Sequence, residues 1–492
     1  MKLEILAILS TYLVAANAQH DYHAIYHRRV HAARDVASAA ASSSSVSSAV
    51  SSAATASGTA SAAAATSAAA VSVSAPAATA TGDLSVPPLS ELTSGMPSGT
   101  SLPLAETFTA GETPSYSGAP ALPSTFIYVQ GTWPQMDVPP PTNSSQVAQW
   151  MLEIQGVDIP DIPTTKDGDC ADDPELALQA EQNGWWTCGG WTRDTDIVAC
   201  PDKMTWGVSF DDGPSPYTQK LLNFLDEKNI KATFFAVGSR VIERPDVLVE
   251  EYMKGHELSV HTWSHHPLTS LTNEQIVAEL GWTREAIKTV VGVTPTTMRP
   301  PYGDIDDRVR AISLAMGLTP IIWTSTPSGI KFDTNDWRVA GGQYTGPESF
   351  QSFEDILGNA TTIDTGFIVL EHDLFEITVD LAIGYTLDAA LAHNPPFTIE
   401  PIGQCNKIPT SDMYMETTTN QTYLAARKLA LSHTANSTNS TSGSSSDGNS
   451  TSGSGSSDSG TQAGVSKSAA ARSYAGFPAL AAFVAAGIAF FL

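Results

Sequence analysis

Between residues 203 and 402 the chain alternates short apolar runs with segments of helical periodicity. In the helical segments apolar residues recur at the spacing of one helix face, as Leu221, Leu222 and Leu225 do. The pattern predicts strands at 204–210, 231–237, 257–261, 297–299, 318–323, 367–371 and 397–402. It predicts helices at 217–228, 240–254, 272–291, 304–316, 350–359 and 377–393, with Pro245 interrupting the start of the second. Such alternation indicates a parallel sheet, open or closed into a barrel.

The segments around this region have a composition that builds no core. Residues 37–82 are almost entirely Ala and Ser, residues 83–145 are rich in Pro, Ser, Thr and Gly, and residues 434–462 are Ser, Thr, Gly and Asn. They predict disordered, O-glycosylated stalks that hold a domain away from a membrane or through a wall. Residues 146–202 contain three cysteines and three closely spaced tryptophans, which indicates a disulfide-tied extension. A small carbohydrate-binding module is the alternative interpretation.

Both ends of the chain resemble processing signals. Residues 1–18 combine an early Lys, an apolar run and small residues, which predicts a secretory signal peptide with Gln19 as the mature N-terminus. At the other end, residues 467–492 join a polar spacer to the apolar tail 475–492, and small residues precede them. This order predicts a GPI-anchor signal with attachment at Gly464 or Ser466. A short transmembrane helix is the alternative.

The charge and the cysteines narrow the classes of partner and compartment. The 492-residue chain has a net charge of −26, from 25 basic and 51 acidic residues, which argues against nucleic acid as a partner. Binding of a cationic polymer is an alternative use of this charge, but no ordered acidic array is present, so solubility is favoured. The four cysteines form no C-x-x-C pair and predict two disulfides after secretion. Six sequons are candidate N-glycosylation sites: Asn143, Asn359, Asn420, Asn436, Asn439 and Asn449.

Five polar motifs follow predicted strands or the loops after them, where barrel enzymes place their active sites. They are SFDDGP at 209–214, HTWSH at 261–265, RPPYG at 299–303, DW at 336–337 and LEHD at 370–373. Each motif alone is compatible with an ordinary turn or loop. Together they supply one carboxylate and two histidines that could bind an ion and leave a position for water. A second carboxylate could then act as a base and a separate histidine as an acid. His266 is the less favoured ligand because of its spacing from His261.

This ordered set resembles the polysaccharide deacetylases, carbohydrate esterase family 4 with the NodB homology domain, and most of all their fungal chitin-directed members. The resemblance covers roughly residues 203–402. It implies an α/β fold, a distorted, incomplete (β/α) barrel. Together with the composition of the flanking segments and the two end signals, it gives the expected domain order: signal peptide 1–18, stalk 19–145, extension 146–202, catalytic domain 203–402, C-terminal extension 403–433, stalk 434–466 and removed anchor signal 467–492.

The resemblance also implies roles for individual residues. Asp212, His261 and His265 would bind the metal, with Zn²⁺ expected and Co²⁺ or Mn²⁺ as alternatives. The implied catalytic pair is Asp211 as base and His372 as acid. The implied substrate-binding and positioning residues are Tyr302 through its backbone N–H, Arg299 toward Asp211, Asp336 toward His372, and Trp337 and Leu370 along the groove for the acetyl group. One departure is Glu371, which stands where the family usually has an apolar residue.

The function that follows is metal-dependent hydrolysis of the N-acetyl groups of chitin or GlcNAc oligomers, giving chitosan and acetate in cell-wall remodelling. The expected location is secreted and GPI-anchored, in contact with membrane and cell-wall polysaccharide. Two alternatives stay open, namely deacetylation of another acetylated glycan (xylan or a peptidoglycan-type polymer) and a non-catalytic wall glycoprotein that binds glycans.

The barrel also predicts how the cysteines pair. Cys200 lies just before the first predicted strand and Cys405 just after the last, so a curled sheet would bring them together. We therefore expect disulfides Cys170–Cys188 and Cys200–Cys405, the second of which would staple ends that otherwise fray.

Overall fold

The structure is a computed structural model that describes residues 84–96, 98–116 and 118–420. The predicted signal peptide, the Ala/Ser-rich segment 37–82, the C-terminal stalk, the anchor signal and three of the sequons, Asn436, Asn439 and Asn449, lie outside the described residues. Of the other sequons, Asn143 and Asn420 are exposed, and Asn359 is partly exposed near the end of a helix.

A parallel sheet forms the centre of the described part of the chain. Its strands are β1 (Thr205–Asp211), β2 (Thr233–Ala236), β3 (Glu257–Val260), β4 (Thr297–Met298), β5 (Thr319–Pro320), β6 (Phe367–Ile368) and β7 (Thr398–Pro401). The order across the sheet is β5-β4-β3-β2-β1-β6, and every pairing is parallel. β7 pairs with the first half of β1, whereas β2 pairs with its second half. Each strand is followed by helical segments, which is why the strands can run parallel.

The two outer strands of this order, β5 and β6, do not pair with each other in the way that closed barrels require. Ile197 forms an isolated parallel bridge with Ile321, just beyond β5, and the N–H of Thr324 donates to the carbonyl of Ile368 in β6. The sheet therefore curls without completing a regular ring of strands. This confirms the expected distorted, incomplete (β/α) barrel.

Helices surround the sheet. We number them α1 (Ser145–Trp150), α2 (Pro174–Ala177), α3 (Ala180–Asn183), α4 (Thr218–Glu227), α5 (Gly238–Glu243), α6 (Pro245–Met253), α7 (Asn273–Val291), α8 (Asp307–Ala315), α9 (Asp336–Gly341), α10 (Gly346–Ala360), α11 (Glu376–Leu381), α12 (Leu387–Ala392) and α13 (Ile402–Cys405). Short 3₁₀ turns lie at Leu89–Glu91, Leu268–Ser270, Pro301–Gly303 and Thr410–Met413, and a π-helical turn, Ala382–Thr386, joins α11 to α12. No helix in this described part is long and apolar enough to cross a membrane.

Two predicted helices differ in detail from the observed ones. The segment predicted as one helix at 240–254 is two helices, because Arg244 leaves the helical conformation (φ −134°, ψ 59°) directly before Pro245. A residue before proline is pushed out of the α region by the proline ring. The helix predicted at 377–393 is likewise divided by the π-helical turn.

The hydrophobic core lies between the sheet and the helices. β1 is buried along its whole length, and Trp206 and Phe210 are fully buried on it. α7 is the longest helix of the described residues and is capped at both ends: the Thr272 hydroxyl accepts from the N–H of Gln275, and Gly292 closes the C-terminus in a left-handed conformation (φ 87°). Such caps satisfy backbone groups that the helix itself leaves without partners.

Both expected disulfides are present. Cys170 joins Cys188 and Cys200 joins Cys405, with Cα–Cα distances of 5.6 and 5.4 Å. The second bridge is fully buried and links residues 205 positions apart. It ties the chain before β1 to the chain after β7, so the pairing predicted from the position of the strands is confirmed.

The segment just before residue 145 differs from the stalk that the composition predicts. From residue 84 onward the described chain packs against the barrel, with Leu92 and Leu122 buried and Trp133 against the core. Backbone groups also bond to the barrel, since the N–H of Gly346 donates to the carbonyl of Leu92. The low average hydrophobicity hid this, because a few widely spaced apolar anchors suffice to hold an irregular segment on a surface that already exists.

Candidate metal centre and active site

Asp212, His261 and His265 converge on one point, as the sequence predicts. One ligand atom from each lies within 4.8 Å of the others, and all three residues are buried. The Nε2 atoms of His261 and His265 lie 3.3 and 3.0 Å from Oδ1 of Asp212. The two rings are 4.9 Å apart between centroids. His266 is not part of this group; its Nδ1 lies 3.0 Å from the hydroxyl oxygen of Ser264 instead.

The other side of each imidazole ring is held by a hydrogen-bond partner. Nδ1 of His261 lies 2.7 Å from the carbonyl oxygen of Arg299, which can only accept, so this nitrogen carries the proton. Nδ1 of His265 lies 3.0 Å from the hydroxyl of Tyr302. In a neutral His261 the lone pair is therefore on Nε2, which faces Asp212. This is the arrangement by which proteins orient histidine ligands toward a cation.

The electrostatics of the three residues also fit a cation. The Asp212 side chain is buried, and the Nε2 atoms of His261 and His265 face its carboxylate. Burial alone would raise the pKa of Asp212, but His265 and His261 hold it well below its usual range. Burial lowers the pKa of His265 to about 3 against the opposing effect of Asp212. An ionised carboxylate and a neutral imidazole are the forms in which zinc binds these ligand types.

The backbone at this point is unusual and depends on the surrounding structure. Asp212, Thr262 and His265 have positive φ angles of 83°, 63° and 59°. Residues other than glycine rarely adopt this conformation, which costs about 1–3 kcal/mol each and persists where tertiary contacts enforce it. At Asp212 the main-chain carbonyl accepts from the Arg240 guanidinium and the N–H donates to the carbonyl of Phe235.

Asp211 lies beside Asp212, His261 and His265, the metal trio, and is paired with Arg299. Nη1 of Arg299 donates to Oδ1 of Asp211 at 2.6 Å and to the Ser209 hydroxyl at 3.1 Å. Both charged side chains are buried, and the guanidinium carbon lies 4.0 Å from the ring centroid of Phe235. Burial lowers the pKa of Arg299 against the opposing effect of Asp211. The other oxygen of Asp211, Oδ2, is 3.9 Å from Nε2 of His261, so the carboxylate faces the metal trio.

His372 lies next to Asp211 in the sheet and is held by Asp336. Residues 211 and 372 form an isolated parallel bridge between the ends of β1 and the β6 segment. Nδ1 of His372 lies 2.7 Å from Oδ1 of Asp336, and the backbone N–H of His372 donates to Oδ2 at 2.8 Å. Burial would lower the pKa of His372, but Asp336 and then Asp212 and Asp211 raise it to about 10. The imidazole is therefore protonated at neutral pH and can donate a proton.

The two predicted groove residues, Trp337 and Leu370, are not equivalent. Tyr302 and Trp337 are partly exposed and share a small apolar cluster with Leu374 and Phe375. Leu370 is instead 7% exposed and packs with the main core. Leu374 and Phe375 follow His372 by only two and three residues and were not predicted. Their apolar character directly after the acid motif was the signal that could have identified them.

Glu371 does not lie in the cleft beside His372. Successive side chains of a strand point to opposite faces. Glu371 is buried on the helix side, where it hydrogen-bonds to Thr386 of the π-helical turn. Burial raises its pKa to about 8. The departure from the family pattern therefore changes the packing beneath the site rather than the surface that meets substrate.

Two buried acids near the site escaped the sequence analysis. Asp373 is fully buried and accepts from the hydroxyl of Thr218 at 2.5 Å, and burial raises its pKa to about 7. Glu279 of α7 accepts three hydrogen bonds from the loop that carries His261 and His265. Asp373 ends the LEHD motif but was given no role there, and Glu279 was hard to identify because it stands alone in a helix.

Comparisons with known proteins identify the family of the chain. The sequence profile of the family described as polysaccharide deacetylase matches residues 199–321. Chitin deacetylase 1 of Cryptococcus neoformans var. grubii is 54% identical over 357 residues, which are 71% of this chain and 75% of the relative. The chain belongs to the polysaccharide deacetylase family. It is therefore a hydrolase, and the family interpretation of its sequence is confirmed.

More distant relatives match smaller parts of the chain. Chitin deacetylase of Amylomyces rouxii is 39% identical over 208 residues, covering 40% of this chain and 47% of the relative. Among solved structures, the chitin deacetylase of Colletotrichum lindemuthianum is 23% identical with a TM-score of 0.41, covering 46% of this chain and 97% of that one.

Proposed function

We propose that this polysaccharide deacetylase removes N-acetyl groups from chitin and its GlcNAc oligomers in a metal-dependent reaction. The observation that carries the proposal is the convergence of Asp212, His261 and His265 beside Asp211 and His372. The identity of 54% to a protein named chitin deacetylase supports the choice of chitin over other acetylated glycans.

Asp212, His261 and His265 would hold the metal, for which zinc is the best fit because carboxylate and imidazole ligands suit it. The bound ion would lower the pKa of water and polarise the amide carbonyl. Asp211, kept in place by Arg299, accepts the proton of the water that attacks the carbonyl carbon. The backbone N–H of Tyr302 donates to the oxygen on which negative charge develops.

His372 completes the reaction. The C–N bond breaks as His372 gives its proton to the departing amine, and the products are acetate and a glucosamine unit. Asp336 stabilises the protonated imidazole through the contact at Nδ1. Nε2 is then the nitrogen that donates to the leaving group. Trp337, with Leu374 and Phe375 beside it, provides an apolar surface for the acetyl group or the sugar ring.

We further propose that the enzyme acts at the cell surface. Secretion is supported by the two disulfides. The proposed GPI anchor rests on the sequence pattern of residues 467–492 alone. Release of the protein from membranes by a phosphatidylinositol-specific phospholipase tests it. Detection of the tail 475–492 in the mature protein would contradict it.

The test of the reaction is acetate release from defined chitin oligomers, with acetylated xylan assayed in parallel. We expect activity on chitin oligomers that is lost on exhaustive chelation and restored by zinc or cobalt. His265→Ala should lose both metal and activity, whereas His266→Ala, at the neighbouring histidine outside the metal trio, should keep both. Full activity of verified metal-free protein would refute the metal assignment. A preference for xylan would refute the substrate.

A further inference from the structure

The loop that carries two of the proposed metal ligands depends on groups from outside it. His261 and His265 are four residues apart, and the residues between and at them include the two left-handed conformations at Thr262 and His265. Such a loop does not hold its shape by local preference. Its backbone groups show what holds it, because each buried N–H and C=O needs a partner.

Glu279 of α7 satisfies the loop's donors. One oxygen, Oε2, accepts from the backbone N–H of Trp263 at 2.7 Å and of Ser264 at 2.9 Å. The other, Oε1, accepts from the Ser264 hydroxyl at 2.5 Å. Glu279 is completely buried. The acceptors of the loop are satisfied separately: the N–H groups of Gly238 and Ser239 in α5 donate to the carbonyls of residues 262 and 263.

Trp133, in the segment upstream of residue 145, contacts the same loop. Its ring lies parallel to that of Trp263, 6.2 Å away with an interplanar angle of 5°, and it also contacts Trp282 of α7 at 5.8 Å. Two residues later, the carbonyl of Gln135 accepts from the indole N–H of Trp263 at 2.9 Å. Trp263 is fully buried as a result. These contacts come from the segment whose composition predicted a stalk, and which precedes the part that matches the family profile.

We propose that Glu279 and Trp133 are positioning residues that set metal affinity by holding the loop of His261 and His265. Glu279 accepts hydrogen bonds from the loop's backbone, and Trp133 packs against the Trp263 side chain, which lies between the two ligands in sequence. The inference rests on the proposed metal site. It adds that the catalytic unit extends upstream of the part that matches the family profile and includes residue 133.

The chain offers a matched control for each residue. Glu257 is also a buried acid that accepts two backbone N–H groups, from Gly403 and Gln404, and one hydroxyl, from Thr233, but it lies at the opposite end of β3 from His261. Trp150 contacts Trp282 at 5.4 Å, as Trp133 does, but makes no ring contact with Trp263. We expect similar losses of stability on substituting Glu279 or Glu257, and likewise on substituting Trp133 or Trp150. A difference in metal affinity within either pair therefore reports on the loop of His261 and His265.

The experiment measures the zinc dissociation constant of the full chain by competition with a chromophoric chelator, together with the melting temperature of the metal-free protein. Partners behind a metal ligand typically contribute about 10–100-fold to affinity. We expect Glu279→Gln to weaken zinc binding by about 10-fold or more. Trp133→Ala should weaken it by a smaller factor. Glu257→Gln and Trp150→Ala should lower the melting temperature and leave zinc affinity unchanged.

The outcomes are separable. If Glu279→Gln does not fold, the milder Ser264→Ala, which removes one of the three hydrogen bonds, takes its place beside Trp133→Ala. Zinc affinity equal to wild type in the folded loop variants would overturn the inference and leave the metal site intact. An equal loss in the control variants would overturn it as well, because general destabilisation would explain the effect. Absence of zinc binding by the wild-type protein would instead overturn the proposed function.

Discussion

Replacing Asp336 with Asn should move the pH dependence of the reaction rather than abolish the site. In the wild-type protein burial would lower the pKa of His372, but Asp336, followed by Asp212 and Asp211, raises it to about 10. The acid needs the protonated imidazole, so activity is present below this pKa and falls as the pH rises through it. Asn keeps an oxygen that can accept from Nδ1 and removes the charge. The alkaline limb of the pH–rate profile, where activity falls with rising pH, should therefore move to lower pH.

The size of the shift follows from the contact itself. The distance of 2.7 Å between Nδ1 and Oδ1 is that of a charge-assisted hydrogen bond, and both residues are buried. Hydrogen bonds to charged groups contribute about 1.5–3 kcal/mol. One pKa unit corresponds to about 1.4 kcal/mol. Loss of the charge should lower the pKa of His372 by about 1–2 units.

The assay is kcat/KM against pH for a chitin oligomer, with both proteins loaded with the same metal. Asp333→Asn is the matched control, because Asp333 lies close enough to influence Asp336 and His372 electrostatically but accepts its hydrogen bonds from Asn335 and Trp337. It should move the limb less than Asp336→Asn. An unchanged alkaline limb in Asp336→Asn, with reduced activity at every pH, would show that Asp336 does not control the proton of His372.

Three further predictions address other parts of the protein. Asp211→Asn should suppress hydrolysis of chitin oligomers and of an activated aryl acetate alike. His372→Ala should slow hydrolysis of the oligomers by ~10²–10⁴-fold and that of the aryl acetate much less, since a phenolate leaves without a proton. Equal losses of rate on both substrates would show that His372 is not the leaving-group acid. Glu371→Gln should melt at a higher temperature than wild type at pH 8.5, and this difference in melting temperature should be smaller at pH 5. The reason is that a carboxyl whose pKa is raised to about 8 in the folded state costs stability as the pH rises from its unfolded pKa toward 8. A difference in melting temperature that does not change with pH would contradict this. Cys200→Ser with Cys405→Ser should lower the melting temperature without changing zinc affinity, as the bridge lies at the end of the barrel away from the ligands; thermal unfolding beside the chelator assay checks it.

Much of the fold was accessible from the sequence because its signals are local. Apolar runs such as Thr205–Asp211 and the periodic segment Asn273–Val291 are strong patterns in themselves. The order of strands and helices then leaves few topologies for a parallel sheet. The position of Cys200 and Cys405 at the two ends of that order was enough to predict the disulfide that closes it.

The segment upstream of residue 145 shows where local signals end. Its composition predicts no core of its own, and that part of the prediction describes its irregular backbone well. It packs nonetheless, because Leu92, Leu122 and Trp133 meet apolar surface that other parts of the chain create. Composition shows whether a segment has enough apolar residues to form its own hydrophobic core. It does not show whether the segment packs against the core of another part of the chain.

By itself the sequence predicted the principal polar side chains of the candidate site, since the five motifs supply its acids, histidines and arginine. Only the tertiary structure decided how these groups face one another. The left-handed backbone at Asp212, Thr262 and His265 is unfavourable locally and is held by partners distant in sequence, such as Glu279 and Arg240. The direction of Glu371, away from the cleft, follows from strand alternation and from packing against the helix layer. These geometries belong to the folded chain because the contacts that enforce them do not exist until it has folded.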